Sequence, residues 1–176
     1  MDITEKIIDI IGGDIWQKST VPVSALIFEK EVREACEKNY CGSYGRCWTC
    51  PPNVGELETI KEKLSAYSSA FIFTTKHALE DSFDYEGMKT AHIRHDEITR
   101  KITDVCAENN ALILGAGRCS ICAECTCPDA PCRFPDRAII SLEACGINVM
   151  ALSKTAGINY INGANTVTYF TAVLFN

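Results

Sequence analysis

Nine of the eleven cysteines in this 176-residue chain lie in two short runs, residues 36–50 and 119–132. Any fold the chain adopts has to gather those thiols, as a disulfide framework, as free thiols or as metal ligands. A disulfide framework requires export to an oxidising compartment. The opening stretch, Asp2 to Ile11, is interrupted by Glu5, Lys6 and Asp9 and does not read as the apolar segment of a secretory signal. The cysteine count is odd, and bunched cysteines cannot staple distant loops. Free thiols at this density invite oxidation. Metal ligation in a cytoplasmic protein is the remaining expectation.

The second run is the stronger signal. Cys119, Cys122 and Cys125 form C-x2-C-x2-C, a spacing that wraps three thiolates around one corner of a cube-shaped cluster while the backbone amides between them face its sulfides. The fourth ligand is Cys127 or Cys132. Cys127 is crowded by Cys125, whereas Cys132 has enough chain to reach back, and Cys132 is preferred. Zinc is the alternative, because it accepts four cysteines, commonly from two C-x2-C knuckles. Here the second pair would be Cys127 and Cys132, a looser spacing than zinc usually takes.

The first run supplies Cys36, Cys41, Cys47 and Cys50, spaced x4, x5 and x2. Gly42 and Gly45 allow tight turns, Tyr44 and Trp48 can shield a site, and Pro51 follows Cys50 as proline follows the last cysteine of ferredoxin runs. A redox dithiol at Cys47 and Cys50 is disfavoured, because Pro51-Pro52 stands where a thioredoxin-like helix would continue. The expected ligands are therefore Cys36, Cys41, Cys47 and Cys50 at one site and Cys119, Cys122, Cys125 and Cys132 at the other, holding one or two [4Fe–4S] clusters. Cys106 reads as a small core residue, and Cys145 as a core residue or a remote ligand.

Apolar residues make up 47% of the chain, enough to bury a core without metal. Helix-period and strand-like segments alternate, which predicts an α/β layered domain over residues 1–176, a central mixed sheet flanked by helices with cysteine loops at 36–55 and 117–135. Helices are expected over Asp2–Ile11, Glu29–Asn39, around Leu57–Tyr67, over Asp84–Asn110 and over Asp136–Cys145. Strands are expected over Val21–Phe28, Ser69–Thr75, Ala111–Leu114 and Ile147–Met150, with Thr166–Phe175 closing the sheet. The formal charge of −6 repels phosphate backbones and argues against nucleic acid. No run of 18 apolar residues offers a membrane span.

The phrases EACEKNYCGSYGRCWTCPPNVG and GAGRCSICAECTCPDAPCRFPDRAIISLEACGINV resemble a prokaryotic family of cysteine-rich, predicted metal-binding proteins, domain of unknown function 2284. The likeness continues through DSFDYEGM to the final strand and implies metal binding by the two loops in a cytoplasmic bacterial or archaeal protein. It also implies that Cys36, Cys41 and Cys50 match the family pattern, as do Cys119, Cys122, Cys125 and Cys132. Cys47 and Cys127 are then additions, and Cys145 competes with Cys47 as fourth ligand of the first site.

Of the three histidines, His77, His92 and His95, the last two are read as solvated or core side chains. Gly115-Ala116-Gly117 lacks a following helix and is read as a turn that delivers Cys119, not a phosphate loop. The functional expectation is an iron–sulfur electron-transfer or redox protein working with a redox partner protein. The rival is a structural zinc module that binds another protein, and an enzyme with an open iron site is favoured only if Cys36, Cys41 and Cys50 act without a fourth cysteine.

Overall fold

Residue-by-residue alternation in two long strands sets the layering. In the segment Ser69–Ala78, Ala70 and Ile72 pack into one apolar cluster and Phe71 and Phe73 into another. The segment Thr166–Phe175 repeats the division, with Ala172 and Leu174 on one side and Val173 on the other. A sheet apolar on both faces has to be covered on both. The computed structural model, which describes residues 1–176, shows that arrangement.

In chain order the elements are α1 (Ile3–Ile11), β1 (Gln17–Pro22), α2 (Lys30–Glu37), α3 (Leu57–Leu64), β2 (Ser69–Ala78), α4 (Tyr85–Arg100), α5 (Thr103–Glu108), β3 (Leu112–Gly115), β4 (Ile140–Ser141), α6 (Val149–Ala156) and β5 (Thr166–Phe175). The sheet runs β1-β2-β5-β3-β4, antiparallel except for the parallel β3–β4 pair. Ile60 and Leu64 of α3 and Val149 and Leu152 of α6 cover one face. Ile3, Ile7 and Ile11 of α1, Ile98 of α4 and Val105 and Cys106 of α5 cover the other. This is the expected mixed-sheet α/β architecture. Asp2 and Glu5 close a capping box that starts α1. No helix is long and apolar enough to cross a membrane.

Parallel neighbours require a crossover of a dozen or more residues, normally a helix. Between β3 and β4 the crossover is the second cysteine loop, residues 116–139, whose only regular element is a single 3₁₀ turn at Pro135–Arg137. Loops longer than about 12–15 residues without their own secondary structure are uncommon and usually functional. The first cysteine loop, residues 38–56, joins α2 to α3.

Several expected elements shift. The strand expected over Val21–Phe28 runs instead over Gln17–Pro22, ending at Pro22, which has no amide to donate, and Phe28 keeps only an isolated bridge to Ile147. The long helix expected over Asp84–Asn110 breaks at Lys101–Ile102, where the Thr103 hydroxyl donates to the Arg100 carbonyl and competes with the helical ladder. Asp136–Cys145 is not helical: after the turn at Pro135–Arg137, Ile140 and Ser141 pair with Leu114 and Gly115. The strand expected over Ile147–Met150 is the start of α6, because the Asn148 side chain caps the amide of Ala151 at 2.9 Å. Thr166–Phe175 does not close the sheet at an edge but lies in its middle, between β2 and β3.

Beneath α4 the core contains a polar chain. Thr75 Oγ1 lies 2.8 Å from both His77 Nε2 and His95 Nδ1, His95 Nε2 lies 2.9 Å from Thr171 Oγ1, and Thr171 pairs with Thr99 at 3.0 Å. His95 is 1% exposed. Burial, reinforced by the facing His77 and His92 and opposed by Asp96, lowers its pKa to about 3. A histidine held neutral in the fold but free to protonate when unfolded contributes its full stability above its ordinary pKa near 6.5, and that stability is lost as the pH falls from there toward 3. Urea unfolding of the wild type should therefore lose about 2 kcal/mol between pH 7.5 and pH 5 through this group. His95→Asn should start less stable but show a flatter pH dependence, and equal slopes in the two proteins would refute the assignment.

Candidate metal centres

All eleven cysteines are unpaired: two lie in the core, three line one cavity, five line another, and Cys127 stands apart from both cavities. Cys106 and Cys145 are core residues, each 1% exposed in an apolar cluster, and burial pushes both thiols up to about 12. Cys145 borders neither of the cavities that the remaining thiols line, although the sequence made it a competitor for the first site.

Cys36, Cys41 and Cys50 line a cavity of about 540 Å³. Cys36 comes from the last turn of α2, after which Asn39 adopts a left-handed conformation (φ 54°) and accepts a hydrogen bond from the Tyr44 amide at 3.0 Å, folding Cys41 back toward the helix end. The floor is buried, formed by Cys50, Ser43 and Ser141, whereas Cys41, Lys89 and Arg118 are exposed at the rim. His92 reaches the cavity from α4 and donates from Nε2 to the Ala116 carbonyl at 2.6 Å, since a carbonyl oxygen only accepts. Gly117, next in the chain, has φ +64°, and a Cβ there would stand 2.7 Å from His92 Nε2, so only glycine fits this crossing. Glu143 faces the same cavity. Water reaches it through the opening, yet surrounding protein thins its hydration and raises its pKa, opposed by hydrogen bonds including one from Ser141.

Cys119, Cys122, Cys125 and Cys132 line a second, more enclosed space of about 20 Å³, room for about one water-sized sphere. Trp48, Ile121 and Phe134 supply its apolar walls. Cys47 stands here too, and not with the other cysteines of its own run. Cys127 does not. Its sulfur lies 3.1 Å from Asn53 Nδ2 and 3.6 Å from the Gly45 carbonyl, so it works as a tie between the loops.

The segment Cys47–Cys50 is the partition between the two spaces. Cys50 donates toward Cys47, and this bond, with help from the Thr49 hydroxyl and the Thr49 and Cys119 amides, holds the Cys47 thiol well below its ordinary pKa. The same bond, followed by burial, drives Cys50 upward. Thr49 Oγ1 also accepts from the Cys119 amide at 3.2 Å, and Trp48 Nε1 donates to the Ala130 carbonyl at 3.0 Å. On the far side, Ser120 donates to Asp96 of α4, and Arg100 bridges Asp96 and the Arg137 carbonyl, both at 2.8 Å. Each such bond contributes about 1 kcal/mol net, and together they hold the long loop against the sheet.

Two observations test whether these residues suit a metal group. Ser43 is 2% exposed, lines the three-cysteine cavity and has a hydroxyl with no hydrogen-bond partner. Such a group costs about 1–3 kcal/mol unless something in the cavity accepts from it, and thiolates or sulfides of a bound centre are acceptors. The second site offers mainly soft sulfur donors, with Thr49, Thr126 and Arg133 the polar residues in otherwise apolar walls, the donor chemistry of iron–sulfur and zinc centres. Nowhere do three histidine, cysteine or carboxylate side chains converge on a point as around a single ion. The thiols instead border two volumes.

Spacing did not reveal Ser43, Lys89, His92, Arg118 or Glu143, which come to the first cavity from separate parts of the chain. No curated protein and no solved structure matches the chain. Residues 19–175 match the family described as predicted metal-binding protein (DUF2284). With two thiol-lined sites inside the matched span, the chain belongs to this predicted metal-binding family.

Proposed function

We propose that this is an iron–sulfur redox protein with two [4Fe–4S] sites, a closed one for electron transfer and an open one. The observation that carries the reading is the pair of thiol-lined spaces on either side of Cys47–Cys50. Cys119, Cys122, Cys125 and Cys132 would hold the first cluster, with Cys47 beside them, and Cys36, Cys41 and Cys50 the second. Bound there, such clusters supply one-electron chemistry, with potentials set by charge, burial and hydrogen bonds to sulfur.

The protein's own residues divide the work. Trp48, Ile121 and Phe134 give the smaller site apolar walls, surroundings that would tune a bound cluster's potential. Three residues of chain span at most about 11 Å, so thiols on the two sides of Cys47–Cys50 sit close enough for electrons to pass between the sites. Ser43 presents a buried donor to the open site. Delivery of electrons to or from the closed site requires a redox partner protein.

A second reading, structural zinc in the closed site, is favoured by that site's small volume of about 20 Å³. Metal analysis separates the two. Protein purified without air should carry about eight iron and eight acid-labile sulfide per chain, with a broad absorbance near 400 nm that dithionite bleaches. Zinc without sulfide would overturn the proposal.

The positions of the sulfurs also predict a contrast within the second loop. Cys132→Ser should remove about four iron per chain, whereas Cys127→Ser should keep the full complement and lose only a small increment of thermal stability. Equal iron loss in both variants would contradict the ligand assignment.

A further inference from the structure

The open cavity holds more than a cluster site needs. Its volume of about 540 Å³ falls within the range of small-molecule sites, about 300–1,000 Å³. Only three cysteines reach it, because Cys47 faces the other space and Cys145 is sealed in the core. The same cavity is lined by charged groups that have no counter-charge within ion-pair distance in the protein. Lys89 and Arg118 line the cavity, and neither takes part in an ion pair, although the chain's five salt bridges engage Lys30, Arg94, Arg100 and Lys101. Glu143 lines it as well and is likewise unpaired with any cation, while Ser43 keeps an unused hydroxyl at the floor.

We propose that this cavity binds a small organic acid that carries a hydroxyl or amino group next to its carboxylate. Lys89 and Arg118 receive the carboxylate, and Glu143 accepts from the hydroxyl or amino group. The three-cysteine wall leaves one position of a bound cluster free to face the ligand. Charge decides the class. In a chain with a net charge of −6, two unpaired cations at one rim form a local attractor for anions. Glu143, which borders the same cavity nearer Cys36 and His92, adds a negative charge that disfavours a doubly charged phosphate and favours a ligand with a donor to offer.

The inference rests on the proposed cluster only for what the thiol wall presents; the charged wall stands by itself. Both can be read in one experiment on the full-length protein purified without air. Calorimetric titration with L-malate, succinate and inorganic phosphate measures binding, while iron and sulfide analysis of the same samples, and of a Cys36→Ala variant, measures the cluster. L-malate should bind at least about tenfold more tightly than succinate, which lacks the hydroxyl, and than phosphate. The double variant Lys89→Met, Arg118→Gln should weaken malate by at least about tenfold and leave iron and sulfide unchanged. Malate binding should also alter the electron paramagnetic resonance line shape of the reduced protein. No heat with malate, tighter binding of phosphate, or full affinity in the double variant would overturn the organic-acid site. If Cys36→Ala loses no iron while malate still binds, the cluster reading of this cavity falls and the organic-acid site stands.

Discussion

The hydrogen bonds between the two cysteine loops are the constraint on which the rest depends. Trp48 to Ala130, the Cys119 amide to Thr49, and Asn53 through Cys127 to Gly45 press one irregular segment against the other. Without them, residues 116–139 would be a long crossover with little regular structure and few buried apolar groups, and parallel pairing of β3 with β4 would rest on two residue pairs. With them, the segment Cys47–Cys50 becomes a wall with a thiol on each side. The sheet supplies the platform: β3 ends at Gly115, and the glycine crossing at Gly117 lets the chain pass His92 closely enough to carry Arg118 to one space and Cys119 to the other.

The two spaces differ in ways that suit different tasks. One is small and lined mainly by sulfur and apolar side chains. The other is large, open at a cationic rim, and floored by buried polar groups, one of which has no partner within the protein. A protein that only moved electrons would have no use for the second set of features. On the proposed reading, the few residues of chain between the two would couple ligand chemistry at the open site to electron supply at the closed one.

Much of the architecture was legible because it rests on local patterns. The apolar run SAFIFTT announced a buried strand, TVTYFTAVLF announced a further strand of the sheet, and the capping pair Asp2 and Glu5 announced α1. The place of Thr166–Phe175 in the middle of the sheet was harder to see, since a strand apolar on both faces says that it is interior but not between which neighbours. Helix α6 was hidden by Ile147, Val149 and Met150, which look like a strand, although Asn148 as N-cap and Gly157 in the left-handed C-cap position mark both its ends. In the site, the four cysteines that spacing put together, Cys119, Cys122, Cys125 and Cys132, line one space, and three of the four in the first run, Cys36, Cys41 and Cys50, line another. It did not place Cys47, because spacing in a tight turn does not say to which side each thiol faces. The groups from α4 and from Ser141–Glu143 were out of reach, because only the tertiary fold brings them to Cys36.

Electron paramagnetic resonance of the dithionite-reduced, anaerobically purified protein tests most directly whether two clusters share the Cys47–Cys50 wall. Two reduced clusters that close together should couple magnetically, giving a broadened, interacting spectrum. That spectrum should simplify to one isolated cluster when Cys36 and Cys41 are both replaced by alanine. A spectrum that is the plain sum of two independent clusters, or the absence of any cluster signal from the reduced protein, would contradict the account.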